Sequence, residues 1–314
     1  MNQSPSLRLL SHHTFQIMVV PVGLDIGTGY AKVSGGGKTA MFPTVYALAH
    51  SGAVSVMKDM DVRSDGGSRI LERVGNDAAK LSKRYEWVLL RPVKYGAPYD
   101  RRGYGLVARH AMDAIGVDPK NAAICAGITY DAREHRSRVR NIILGMNPVA
   151  CAVIPQAVGT LVACGKETGT VINIGHGTTE IISVDANGVN GISVPKASDF
   201  VLSQIVQSSR NKVSYVNHEK IFVENKTVIG KLVGLLAAGI SDEVGRIGVP
   251  EEIILAGGGS LIPGMQKALS AAIGCKITSV HDPLMSNAVG FEIKAASLVE
   301  SMKKGIKGQT PGKQ

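Results

Sequence analysis

One arrangement occurs twice in this chain, and it restricts the fold more than any other feature. An apolar run, Val19–Asp25, leads into Gly27-Thr28-Gly29 and then a second short run, Tyr30–Ser34. Far downstream, Gly169–Asn173 leads into Gly175-His176-Gly177 and then Thr179–Val184. Strand, glycine-rich turn and strand predict a β-hairpin. A dinucleotide-binding fingerprint would instead need a helix after the glycines. Strand and helix signals follow both copies. The sequence therefore predicts a duplicated α/β unit: two similar domains facing each other, with both turns directed into one cleft.

Length agrees, since 314 residues suit about two domains. With 44% hydrophobic and 19% charged residues there is enough apolar material for a core and too much for intrinsic disorder. The 37 glycines show no triplet period, which excludes collagen, and 4% aromatics argues against a large base-stacking surface. No apolar run reaches the ~18 residues of a membrane span. Residues 1–17 lack a continuous apolar segment and a small-residue cleavage site, so they read as a disordered N-terminal arm. His12-His13 within it has no third metal ligand. Cys125, Cys151, Cys164 and Cys275 are too far apart for a zinc knuckle or redox pair. A reduced, cytoplasmic setting is expected.

Between the copies, residues 35–100 read as short strands and loops. Leu106–Ile115 reads as a helix ending near Gly116, and Ala122–Cys125 as a buried strand. Asp131 is placed to N-cap a helix over Ala132–Leu144, with Glu134 at the capping-box position. Val149–Ile154 is a strand and Gln156–Cys164 a small-residue helix that lets neighbouring backbones come close. In the second copy, Asn187-Gly188 makes a hairpin turn, and Ser198 or Asp199 starts a helix through Val206. Helical spacing covers Lys226–Ile247. Glu252–Leu255 is a strand running into Gly257-Gly258-Gly259, and Pro263 opens the next helix. Lys276–Val280 is the last strand, before a helix over Leu284–Lys303.

Each turn offers backbone N–H groups with little side-chain obstruction, and such nests bind phosphate oxygens. Gly27, Thr28 and Gly29 form the first; Gly175, His176, Gly177 and Thr178 form the second. Asp25 stands at a strand end beside the first turn, where a carboxylate suits a hydrated magnesium ion. Lys32 can reach back as a point charge. Gly257, Gly258, Gly259 and Ser260 form a third cluster that can lie flat against a purine. Charge adds a further expectation. The chain carries a net charge of +10, with 16 basic against 9 acidic residues from Arg63 to Arg140. Lys303, Lys304, Lys307 and Lys313 make the final segment, 303–314, a basic flexible tail that could meet DNA or an anionic membrane lipid.

These motifs together resemble the actin and heat-shock chaperone ATPase superfamily, most closely its small archaeal and bacterial actin homologues. GLDIGTGYAKV (23–33) is similar to the family's first phosphate loop, and VINIGHGTTEI (171–181) to its second. PQAVGTLVACGKETG (155–169) is similar to the first connecting helix, LAGGGSLIPGM (255–265) to the adenosine loop, and NAVGF (287–291) to the second connecting segment. The resemblance implies a duplicated actin-like fold, two domains with mixed five-stranded sheets flanked by helices and a nucleotide in the interdomain cleft. Domain I would cover 18–165 plus 281–302, and domain II 166–280. It further implies ATP and Mg2+ as cofactors, slow ATP hydrolysis and assembly with copies of itself into cytoskeletal filaments. Gln156 would orient the attacking water, while Asp25 and Asn173 would hold the metal through water. The family pattern has aspartate where this chain has Asn173, which keeps an oxygen but loses a charge. A non-filament scaffold ATPase is the alternative. A small-molecule kinase of the superfamily would need an acidic general base, for which Asp131 is the nearest candidate.

Overall fold

In the computed structural model, residues 18–50, 70–85, 87–208 and 226–307 are described. The expected arm (1–17), His12-His13, and the end of the tail (308–314) lie outside them. The described residues open with strands β1 (Val20–Ile26), β2 (Tyr30–Gly35) and β3 (Lys38–Pro43). Strands β4 (Tyr46–His50) and β5 (Ile70–Val74), helix α1 (Gly75–Tyr85) and the short strands β6 (Leu89–Leu90), β7 (Val93–Lys94) and β8 (Ala97–Pro98) follow. Next come α2 (Arg101–Ile115), β9 (Ala122–Ile128), α3 (Arg136–Leu144), β10 (Ala150–Pro155) and α4 (Gln156–Ala163). The second half holds β11 (Gly169–Ile174), β12 (Thr179–Asp185), β13 (Gly188–Val194), α5 (Ser198–Ser208) and α6 (Lys226–Ile247). It ends with β14 (Glu252–Ala256), α7 (Met265–Ile273), β15 (Lys276–Ser279) and α8 (Ser286–Lys307).

Two mixed five-stranded sheets result, in the orders β10-β9-β1-β2-β3 and β15-β14-β11-β12-β13. Their topologies are the same. In each, a central strand (β1, β11) pairs antiparallel with the strand after its turn and parallel with a later strand (β9, β14). The duplication read from the sequence is thus present in the strand order itself. Parallel strands covered on both faces require continuous apolar runs, and β9 (AAICAGI) is buried at every position. Separate apolar cores fill the two halves, one around Leu24, Met112 and Ile124, the other around Ile172, Leu236 and Leu255.

The last helix, α8, returns to the first sheet and packs on β1, β9 and α4. At its crossing with α4 no side chain intervenes: a Cβ on Gly290 would lie 1.8 Å from the Gly159 carbonyl oxygen. Phe291 is fully buried beside this crossing, against Gly127 and Gly159. The small residues of α4 serve the close approach anticipated for them.

Several local expectations need correction. The 35–100 segment includes α1, whose apolar positions Ala78 and Leu81 are too few to show a period. Helix α2 starts earlier, at Arg101, because the Asp100 carboxylate accepts the Arg102 N–H. Asp131 caps no α-helix: residues Tyr130–His135 form a 3-10 turn before α3, and the Asp131 carboxylate accepts the Ser193 N–H at 2.6 Å. Pro263 does not open α7, since Gly264 takes a left-handed φ of 85° and the helix starts after it. Helix α8 begins at Ser286, because the Asp282 carboxylate accepts the N–H groups of Leu284 and Met285 in a turn. It runs on to Lys307, so the first residues of the expected tail are helical. No described helix is long and apolar enough to cross a membrane.

Candidate functional site

In open α/β sheets, ligand sites gather outside the carboxyl ends of the parallel strands. Both sheets here obey this geometry, and their carboxyl ends share one cavity. Asp25 lies near the end of β1 and the Gly27–Gly29 turn follows it, Gln156 follows β10, the Gly175–Thr178 turn follows β11, and Gly257-Gly258 follow β14. All of these residues, with Lys32 and Asn173, line a cavity of about 410 Å3. That volume lies in the ordinary range for a small-molecule site.

The two turns are built alike. The Gly27 N–H donates to the Tyr30 carbonyl, and the Gly175 N–H donates to the Thr178 carbonyl. The nests expected from the sequence are therefore narrower by one donor each, since these two N–H groups close the turns. The turns also meet directly. A Cβ on Gly29 would lie 2.7 Å from the His176 ring, and one on Gly177 would lie 3.0 Å from Thr28. Glycine at both positions lets one loop from each half interdigitate over the cavity.

Asp25 is the electrostatic centre of the first half. It is 1% exposed, and both its carboxylate oxygens are engaged. Oδ2 accepts from the Lys32 ammonium at 2.9 Å and Oδ1 from the Gln156 amide at 2.9 Å. Lys32 reaches it because the two residues are directly opposite on β1 and β2. Gln156 reaches it because Pro155 ends β10 and the helix begins at once. A carboxylate accepts only, so the amide nitrogen of Gln156 must face Asp25 and its oxygen is turned elsewhere. In the second half, Asn173 is the equivalent of Asp25. It is buried, lines the cavity and stands opposite Glu180 on β12.

Glu180 escaped the sequence reading. It is 1% exposed, accepting the Tyr130 N–H at 2.7 Å and the Ala157 N–H at 2.6 Å. Burial pushes its carboxyl up to about 8; those two donors pull the other way, and the Asp25 and Asp131 charges add to the rise. Only its spacing pointed to it: Glu180 lies seven residues after Asn173, as Lys32 does after Asp25.

Of the expected third cluster, Gly257 and Gly258 are on the cavity wall, and Gly259 and Ser260 are not. Gly259 packs against Ile174, and the Ser260 hydroxyl donates to the Gly257 carbonyl at 2.7 Å. The wall near Gly258 is apolar, formed by Pro283, Leu284 and Ile262 with Leu202 and Leu261. Asn287 adds an amide from the first turn of α8. Leu261, Ile262 and Asn287 lie in the segments quoted for the resemblance, though none was named as a site residue. Leu202, Pro283 and Leu284 lie outside them, and single apolar residues from separate elements carry no sequence pattern. Asp131, the candidate base of a kinase, is exposed and bonded to Ser193, and is not among the cavity residues.

The arrangement thus combines a polar region of carboxylate, ammonium and amides with two backbone turns and an apolar wall. That suits a ligand with an anionic part and a flat apolar part. The oxygen donors Asp25 and Asn173 also suit a hard cation such as magnesium, which keeps most of its waters. No protein-family model matches this chain, and no curated protein is significantly similar to it.

Proposed function

We propose that the cavity binds ATP with magnesium, that the protein hydrolyses it slowly, and that copies assemble into filaments in an ATP-dependent way. The observation that carries this reading is the pair of matched hairpin loops, one from each half, interdigitating beside Asp25, Lys32 and Gln156. Duplicated turns with backbone donors suit a chain of phosphates. The apolar wall at Gly257, Gly258 and Leu284 suits a purine. Asp25 and Asn173 are the residues that would hold hydrated magnesium, whose charge would offset that of the phosphates. Gln156 has its amide nitrogen committed to Asp25, which leaves its oxygen to accept from a water and aim it. Such catalysis consists of positioning and electrostatics. Since Asn173 brings no charge, hydrolysis is slow and the ATP state long-lived. The four free cysteines suit a reducing, cytoplasmic setting.

Phosphate release and light scattering, followed together after adding ATP, test the reading. Scattering that rises with ATP and decays as phosphate appears is the expected result. Phosphate release without any rise in scattering, in ATP or ADP, refutes the filament and leaves a scaffold ATPase. No phosphate release and no nucleotide affinity refute the whole reading.

A further inference from the structure

The duplication sets Glu180 at the register position that Lys32 holds in the first copy. Asp25 faces Lys32 across β1 and β2, and Asn173 faces Glu180 across β11 and β12. Lys32 turns to Asp25. Glu180 crosses to the other half and accepts two backbone N–H groups there. Both donors sit at helical starts: Tyr130 opens the 3-10 turn after β9, and Ala157 is the second residue of α4, next to Gln156. The surrounding contacts fasten the same place. Asp131 and Ser193 exchange hydrogen bonds, and the Tyr130 hydroxyl donates to the Val189 carbonyl. The β12–β13 hairpin of the second half is thereby tied to the 3-10 turn after β9, and through Glu180 also to the first turn of α4, next to Gln156.

We propose that Glu180 is a positioning residue that holds the first turn of α4 and so fixes Gln156 against Asp25. This rests on the ATPase reading above. A carboxyl has two acceptor oxygens and serves both N–H groups, whereas an amide has one. The same placement explains Asn173. Residues directly opposite on antiparallel strands have Cβ atoms about 4.5–5.5 Å apart, and like charges there are destabilising. An acid at 173 would set a second buried carboxyl opposite Glu180, and the two could not both ionise without cost, so the neutral amide suits the tie better.

The test compares wild type, Glu180→Gln, Gln156→Ala and the double variant in two assays. One is affinity for a fluorescent ATP analogue with magnesium; the other is phosphate release in a single turnover. Glu180→Gln should keep affinity within about threefold and slow release about 10-fold or more, because a misplacement near 1 Å is enough for such a loss. The double variant should be no slower than Gln156→Ala alone, since both changes remove the same alignment. A wild-type rate in Glu180→Gln, or a rate loss that multiplies with that of Gln156→Ala, overturns the proposal. Glu180→Asp guards against misfolding: it keeps the carboxyl on an arm about 1.5 Å shorter, and an intermediate release rate is expected. Full wild-type release in that variant also overturns the proposal. A wild type that neither binds nor hydrolyses the nucleotide overturns the ATPase reading itself, and does so before any variant is compared.

Discussion

The crossing of α4 and α8 is the place where one methyl group should do most damage. Gly290→Ala puts a Cβ 1.8 Å from the Gly159 carbonyl oxygen and 2.5 Å from its carbonyl carbon. Real Cβ contacts essentially never fall under 3.0 Å, so the helices must separate by at least 3.0 − 1.8 = 1.2 Å. No flexible side chain can give way, because the obstacle is backbone. Overpacking of this kind costs about 1–3 kcal/mol, and a backbone obstacle puts the value near the upper end, about 3 kcal/mol. At about 2–4 °C per kcal/mol for large domains, the melting temperature should fall by roughly 6–12 °C. Helix α4 carries Gln156, so the shift also draws that amide from Asp25, and phosphate release should slow with it. Gly234→Ala is the opposite control. Gly234 is an exposed residue inside α6 with open space around it. Removing that glycine should stabilise the helix by about 0.5–1 kcal/mol. Thermal unfolding of both variants reads the difference. A Gly290→Ala protein melting with wild type, or a Gly234→Ala protein melting lower, would refute the packing argument.

Three further predictions concern charge. Asn173→Asp should raise single-turnover phosphate release, by up to the ~10²–10³ attached to one preorganised electrostatic contact, while lowering stability because it buries a second carboxyl opposite Glu180; unchanged release would mean another group supplies that charge. The Glu180 carboxyl, raised from 4.5 to about 8, binds a proton in the folded state that the unfolded chain has already lost. Its stabilising contribution is therefore full below about pH 4.5 and lost as pH rises through about 8, by at most about 5 kcal/mol. Urea unfolding at pH 5, 7 and 9 should show that loss in wild type and a flatter profile in Glu180→Gln; parallel profiles contradict it. Deleting residues 303–314 should flatten the salt dependence of duplex DNA binding by roughly two to four, at about 0.9 for each phosphate contact; full-length protein that does not bind DNA at low salt rules that partner out.

What the sequence made legible was repetition. Two turns of like composition, each closing an apolar strand, were enough to expect paired sheets and a shared cavity, and Gly27, Gly175, Asp25 and Asn173 do line one. Contacts between elements distant in sequence were hidden. Asp131 has the residue type and spacing of a helix cap, yet its partner is Ser193, on a strand of the other half. Glu180 lies in a strand whose neighbours read as ordinary β-sheet residues, and its significance appears only when β12 comes against α4. Gly259 illustrates the reverse. A run of three glycines suggests one ligand surface, but the third is fixed by Ile174, which leaves no space for a Cβ.

The central claim, that this cavity takes ATP with magnesium, is tested most directly by calorimetric titration of the full chain. Wild type, Asp25→Ala and Gly258→Val should be compared with and without magnesium. Asp25→Ala removes the carboxylate that holds Lys32 and Gln156. Gly258→Val adds bulk beside Leu284, where a Cβ would already lie 3.3 Å from the Leu284 side chain. The account predicts one saturable site in wild type, weaker binding in Asp25→Ala mainly when magnesium is present, and weaker binding in Gly258→Val with or without it. Absence of binding to wild type, or wild-type affinity in both variants, would contradict it.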